Sequence, residues 1–295
     1  MHSVHVYQIL NHYTSRQELD PGFEVLDNSA NERPDWYEYW PIRKFLLNQP
    51  LDENAFYGFL SPKFKLKTNL SAAEARDFIQ ATSPTTDVVL FSPSIHNSAF
   101  YLNVFEHGNS EHPGLLEVAG RFFARLGYRE PLERLVSDSR NTVHSNYFIA
   151  KPRFWREWLR ITEQMFVIAE TDDDPLGAEL RAPTEYRGSR NVQMKIFLME
   201  RIATWILITD GRFTARARDP FVARSRIYKL PVAIMCDALK IAYSTQGREQ
   251  YKDVFLMLRR FAKRWTFQIR SSGALGLGAQ PFLRTLRSYW DKKAG

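Results

Sequence analysis

Short apolar runs of four to seven residues alternate with helix-length amphipathic stretches along residues 1–210, and this alternation sets the fold class before any single residue is weighed. Val4–Leu10 (VHVYQIL), Phe56–Leu60 (FYGFL), Asp87–Phe91 (DVVLF) and Tyr147–Ala150 (YFIA) read as strands, being rich in β-branched and aromatic side chains. Helical periods fall at Asp35–Leu47, Ser71–Ala81, Leu115–Leu126, Pro152–Ala169 and Gln193–Ile208. Ser71 and Glu74 have the spacing of a capping box, Gly127 closes the third helix, and Pro152 opens the fourth. Residues 11–31 are polar, with turn residues and no period. The pattern predicts a three-layer α/β body. No repeat of fixed period is present.

With 44% hydrophobic and 14% aromatic residues, the chain is not intrinsically disordered, since it can bury enough apolar surface to offset its ordering entropy. One cysteine, Cys236, rules out a disulfide scaffold and fits a reducing compartment; within the apolar stretch VAIMCDALKIA it reads as core. The first ten residues lack the charged and long apolar regions of a secretory signal. The longest apolar candidate for a membrane span, Ile196–Ile208, is interrupted by Glu200 and Arg201. A cytoplasmic protein is expected, with attachment to the inner face of a membrane left open.

The net charge of +7 hides an asymmetry. Residues 211–295 hold 18 Lys and Arg against five Asp and Glu, a net of +13, whereas residues 1–210 are net −6. The expected organisation is a catalytic body over 1–210 and a basic helical extension over 211–295, with helices at Pro231–Tyr243, Lys252–Ile269 and Pro281–Trp290. The stretch SSGALGLGAQP between the last two follows no strand and carries no GK[ST], so it reads as a linker rather than a phosphate loop.

Four places hold chemistry-bearing residues. After FYGFL, a loop presents Ser61, Lys63, Lys65, Lys67 and Thr68. Ligands of open α/β sheets bind beyond the carboxyl ends of strands, and lysines with hydroxyls suit a diphosphate there; the alternative is a solvated basic turn. The loop NVFEHGNSEHPG, starting at Asn103, groups Glu106, His107, Glu111 and His112, able to move protons or hold a metal, though not at the spacing of a zinc helix. Asp172 and Asp174 match the D-x-D pattern that holds a divalent cation, but they follow a helix and read more simply as an acidic loop. Glu200 and Arg201 are costly inside so apolar a helix unless paired or used: Arg201 to pin an anionic group, Glu200 to orient a substrate hydroxyl. His144 and Asn146 are weaker candidates.

Taken together, VHVYQIL, DWYEYWPI, YGFLSPKFKLKT, DVVLFSP, NVFEHG with a following HPGL, NYFIAKPRFWREWL and KIFLMERIATWIL resemble, in order, bacterial glycosyltransferases of capsular polysaccharide and O-antigen synthesis. The resemblance covers about residues 1–210. It implies a GT-A-like nucleotide-diphosphosugar fold, a nucleotide-sugar donor held by the first strand and its loop (Tyr7, Gln8 and Asn11) together with Ser61, Lys63, Lys67 and Thr68, and a glycan or lipid-linked acceptor. Asn103, His107, Glu200 and Arg201 are the substrate-binding residues it implies, and Glu106, then His112, the candidates for the acceptor-activating base. Where the family would carry two aspartates, this chain has Ser61-Pro62-Lys63. Reduced or absent metal dependence is therefore expected, with lysines neutralising the departing diphosphate and a manganese or magnesium ion left open.

The extension pairs Arg259, Arg260, Lys263 and Arg264 with Phe261 and Trp265, and Arg284 and Arg287 with Phe282, Leu286 and Trp290. Basic residues beside interfacial aromatics suit an anionic membrane surface, docked helices with solvated faces being the plainer alternative. Two rival readings are a nucleic-acid-binding protein using these helices, disfavoured by the acidic body, and a non-catalytic transferase-like scaffold.

Overall fold

The computed structural model describes residues 3–93, 98–186, 189–221 and 230–272, and of residues 185–186, 189–191 and 261–272 it describes the backbone alone. The linker from Gly273, the helix expected at Pro281–Trp290 and the side chains of Phe261, Lys263, Arg264 and Trp265 lie outside the described residues.

The sheet is built from β1 (Val4–Asn11), β2 (Glu24–Asn28), β3 (Phe56–Leu60), β4 (Val88–Leu90), β5 (Phe148–Ala150) and a strand at Ala215–Ala217. A separate antiparallel hairpin joins β6 (Pro183–Tyr186) to β7 (Ser189–Gln193), so the strand at 215–217 is β8. The six-stranded order is β2-β1-β3-β5-β4-β8. β1 runs parallel to β2 and β3, β8 runs parallel to β4, and β5 runs antiparallel between β3 and β4.

Strand alternation distributes the core to both faces. Tyr57, Phe59, Val88, Leu90, Phe148 and Ala150 join the larger cluster. Phe56, Leu60, Val89 and Ile149 join the smaller one. All five residues of β3 are buried, as suits a strand covered on both sides. Gly58 lets β5 come close, because a Cβ there would lie 2.6 Å from Ile149 Cγ1. The fold is thus α/β, with helices on both faces of a mixed sheet compatible with a Rossmann-like arrangement.

The smaller face is covered by α2 (Phe64–Thr68) and α3 (Ala72–Gln80), whose Phe64, Ala72, Ala75 and Ile79 are buried. The larger is covered by α1 (Tyr39–Asn48), α4 (Val104–Glu111), α5 (Leu115–Arg125), α6 (Pro152–Glu170), α7 (Pro175–Arg181), α8 (Met194–Met199) and α9 (Ile202–Thr209). Local chemistry explains several boundaries. Ser71 and Glu74 form the expected capping box of α3. Asp174 caps α7, with Pro175 at its first position. Gly127, at φ +86°, supplies the left-handed turn after α5.

Residues 11–31 contain β2, and 104–111 form a helix rather than a loop. The expected helix 35–47 is split: a 3-10 turn covers Pro34–Trp36, and the α-helix, α1, starts only at Tyr39. The basic third is not a separate appendage at its start, because β8 completes the sheet beyond residue 210. Beyond it, α10 (Leu230–Gln246) packs against α11 (Glu249–Ser272) and docks on the body. Buried Lys240 donates to the carbonyls of Tyr101 (3.1 Å) and Ser137 (2.7 Å), and Asp237 accepts from the Ser139 amide at 2.8 Å. Cys236 lies with Ala99, Val232, Ala233 and Phe255 in a third cluster, its thiol pushed up to about 12 by burial. Among the described residues no helix is long and apolar enough to cross a membrane.

Candidate functional site

A cleft of about 560 Å³ opens beyond the carboxyl ends of β1, β2 and β3, where Asn11, Asn28 and Ser61 lie at its wall. Because β5 is antiparallel, its amino end faces the same way and adds Ser145, Asn146 and Tyr147. The first turn of α1 and the end of α8 close the other side, through Glu38, Ile196, Met199 and the adjoining Glu200. Trp36, Tyr39, Phe148, Trp155 and Trp158 line the interior, and the rim carries Tyr13 and Tyr37, whose exposures of 64% and 43% leave flat rings open to a ligand.

Two carboxyls face this space. Glu38 is pushed up to about 7, chiefly by desolvation and next by the Glu200 charge; hydrogen bonds from Ser61 and Asn146 and the Lys67 charge work the other way. Glu200 is also raised by desolvation, against the opposing influence of Arg201, Lys67 and the Ser145 hydroxyl. Although enclosed by protein, 39% of its side chain is solvent-reached, through the cleft. Lys63 and Lys67 line the same space, with Lys67 Nζ 5.3 Å from the Tyr147 ring centre. The Tyr147 hydroxyl is buried near Ser61, yet it finds no partner at hydrogen-bonding geometry.

Backbone strain concentrates here. Of the four described non-glycine residues with positive φ, Asn31, Tyr37 and Ser145 line the cleft, at +46°, +46° and +55°. Each such conformation costs on the order of 1–3 kcal/mol and persists only where its surroundings enforce it. At Tyr37 and Ser145 the reversal delivers the neighbouring Glu38 and Asn146 to the cleft wall.

The residues singled out in the sequence divide sharply. Asn11, Ser61, Lys63, Lys67, Asn146 and Glu200 are brought together around the cleft. Gln8 supports the wall: its Nε2 donates to the carbonyls of Ser61 (3.3 Å) and Pro62 (3.1 Å), and its Oε1 accepts from the Asp20 amide. Tyr7 stacks on Phe59 and packs against the larger core instead of lining the cleft. Thr68 is spent inside α2, donating to the Phe64 carbonyl and accepting from the Leu70 amide.

The Asn103 cluster lies away from the cleft, its polar groups bonded within the protein. Asn103 caps α4 through Oδ1 and donates Nδ2 to the carbonyls of Leu132 and Leu135. Glu106 accepts from the Leu102 amide at 2.7 Å with one oxygen and from Arg259 at 2.7 Å with the other, so it ties α11 to α4. His112 is buried and stacked on Phe197, ring centres 3.5 Å apart. His107 is held neutral by burial, lowered to about 4, and lies 6.0 Å from His144, lowered to about 3 for the same main reason. Arg201 is buried and donates to the carbonyls of Val104 and Phe197, so it does not reach out to an anion. None of Asn103, Glu106, His107, His112 and Arg201 lines the cleft.

The acidic loop holds no cation cage. Asp174 accepts from the Leu176 amide and pairs with Arg125, and no group of three or more His, Cys, Asp or Glu side chains suited to a metal occurs among the described residues. Hard divalent cations require clustered oxygen ligands. The cleft itself offers two carboxyls, Glu38 and Glu200, beside two lysines, Lys63 and Lys67.

Reading the residues singly missed Glu38, Tyr13 and Tyr37. The available signal for Glu38 was a lone carboxylate within the aromatic run WYEYW. No protein-family model matches the chain, and neither a curated protein nor a solved structure matches it.

Proposed function

We propose that the protein is a glycosyltransferase that moves a sugar from a nucleotide-sugar donor to a glycan or lipid-linked acceptor in bacterial surface-polysaccharide synthesis, with a GT-A-like body. The observation that carries this reading is the union, in one cleft beyond the carboxyl ends of β1 and β3, of two lysines, two carboxyls raised by desolvation and exposed aromatic rings. Each part has a use in sugar transfer. Tyr13 and Tyr37 offer faces on which a base or sugar ring stacks. Lys63 and Lys67 neutralise charge on the departing diphosphate without a metal ion. Glu200, ionised, takes the proton of the acceptor hydroxyl with Glu38 beside it, since the desolvation that raises both carboxyls makes each a stronger base than a solvated glutamate. Glu200 replaces Glu106 in this role, because both Glu106 oxygens already bind Leu102 and Arg259.

The test is a thermal-shift screen of the full chain against nucleoside diphosphates and nucleotide sugars, with and without excess EDTA. At a hundredfold excess over its dissociation constant, a ligand of the folded state adds about 2.7 kcal/mol of apparent stability. A nucleoside diphosphate is expected to stabilise the wild type in EDTA but not a Lys63→Ala, Lys67→Ala double variant. Failure of every nucleotide to stabilise the protein would overturn the reading, and strict dependence on manganese or magnesium would overturn the lysine assignment.

A further inference from the structure

The apolar stretch that reads as one helix, Gln193–Ile208, is two. α8 ends at Met199 and α9 starts at Ile202, with the break at Glu200 and Arg201. The break contains no proline, glycine or serine, and a side chain that enters the backbone ladder is one of the remaining causes of such an interruption. Here the Phe197 carbonyl, due to accept from the Arg201 amide, accepts instead from the Arg201 guanidinium, while the Arg201 amide shifts to Leu198 at 3.0 Å. The guanidinium's Nε is anchored on the Val104 carbonyl at 3.0 Å, across on α4. It lies against Gly108, where a Cβ would come within 2.6 Å of Cζ and 2.7 Å of Nη2. The residue before Arg201 is the one whose carboxyl enters the cleft.

We infer that Arg201, seated on Gly108, is a positioning residue for Glu200: by drawing the Phe197 carbonyl out of the helix ladder it breaks the helix where the break turns the Glu200 carboxyl into the cleft. The inference rests on the reading of Glu200 as the acceptor-activating group. The two residues are 3.9 Å apart at their nearest charged atoms, so Arg201 also acts on Glu200 as a charge. The other groups acting on Glu200 are Glu38, Lys67 and the Ser145 hydroxyl, and those acting with Arg201 are Glu111, His107 and His144. A bare charge effect and a positioning effect are separable, because lysine keeps the charge but not the planar fork that reaches two carbonyls at once.

The experiment is a carboxyl-carbon NMR titration of the full chain labelled at glutamate, with the Glu200 signal assigned by its loss in Glu200→Gln. In the wild type, Glu200 is expected to titrate above the ordinary glutamate range. Arg201→Lys and Gly108→Ala each move it back by about one pH unit, a tenfold loss of proton affinity, as the helix closes over the break and the carboxyl leaves the cleft. A titration unchanged in Arg201→Lys, with Arg201→Met alone shifting it upward, would reduce Arg201 to a nearby charge and overturn the inference. Gly108→Ala tests the seat separately and leaves both charged residues in place, so either variant that folds decides the question. The reading of Glu200 fails on a different result, retention of sugar transfer by Glu200→Gln.

Discussion

Glu38 and the His107–His144 pair pull stability in opposite directions as pH changes. Glu38, raised from 4.5 to about 7, contributes stability that is full below 4.5 and lost as pH rises through about 7. The histidines, lowered from 6.5 to about 4 and about 3, contribute stability that is full above 6.5 and lost as pH falls through those values. The two effects offset each other between 4.5 and 6.5. Glu38→Gln removes one of them, so the variant's melting temperature should fall more steeply than the wild type's on acidification through that window. Equal slopes in melting curves taken at intervals across it would count against the placement of these groups. For catalysis, Glu200→Gln should lower turnover by roughly 10²–10⁴, the usual contribution of a general base, as read in a donor-to-acceptor transfer assay. Part of this site was legible in the sequence: the lysines after FYGFL announced themselves because charge following a buried strand marks a strand end. Glu106 misled because a carboxylate three residues past a helix-capping Asn serves a backbone amide as readily as a substrate, and only the packing of α11 reveals Arg259 on its other oxygen.

Elements with their own local signals were read closely. β3 spans the residues its apolar run indicates, and α3 begins where its capping box requires. Ser71→Ala should therefore cost about 1 kcal/mol, measurable as a lower urea midpoint at unchanged slope. Elements that depend on partners were not legible. β2 is a polar edge strand, with no residue buried, and exists because β1 offers it a ladder. α4 was hidden by Gly108 and the His and Glu residues around it, which suggest a loop until Arg201 is seen to need the space at that glycine. The break between α8 and α9 was equally invisible, since hydrophobic periodicity continues through it and its cause, the guanidinium seated on Phe197 and Val104, lies in tertiary contact.

The charge division at residue 210 is a real feature of composition, but the structure does not part there. β8 ends at Ala217, seven residues past residue 210, and forms an edge of the sheet, while Lys240 fills carbonyls of the body from α10. A chain ending at residue 210 should accordingly lose the cooperative melt and the dispersed amide spectrum of the full protein; a sharp two-state melt would show the body to be self-sufficient. Lys240→Met should cost on the order of 3 kcal/mol in the full chain, since it leaves Asp237 and two carbonyls buried without their cation. On α11, Val254 and Met257 are exposed near exposed Arg260, and salt-sensitive adsorption to anionic vesicles is expected, lost when residues 271–295 are removed. Vesicle binding indifferent to salt and to that deletion would dismiss the membrane role. The antiparallel β5 has a consequence for synthesis as well. The cleft takes its walls from residues 11–67 and 145–200, so on a ribosome that adds about 5–20 residues per second it has only one side for many seconds. During that interval Trp36 and Tyr39 have no Trp158 or Phe166 to cover them, and the nascent chain is at its most vulnerable to self-association or to capture by a chaperone.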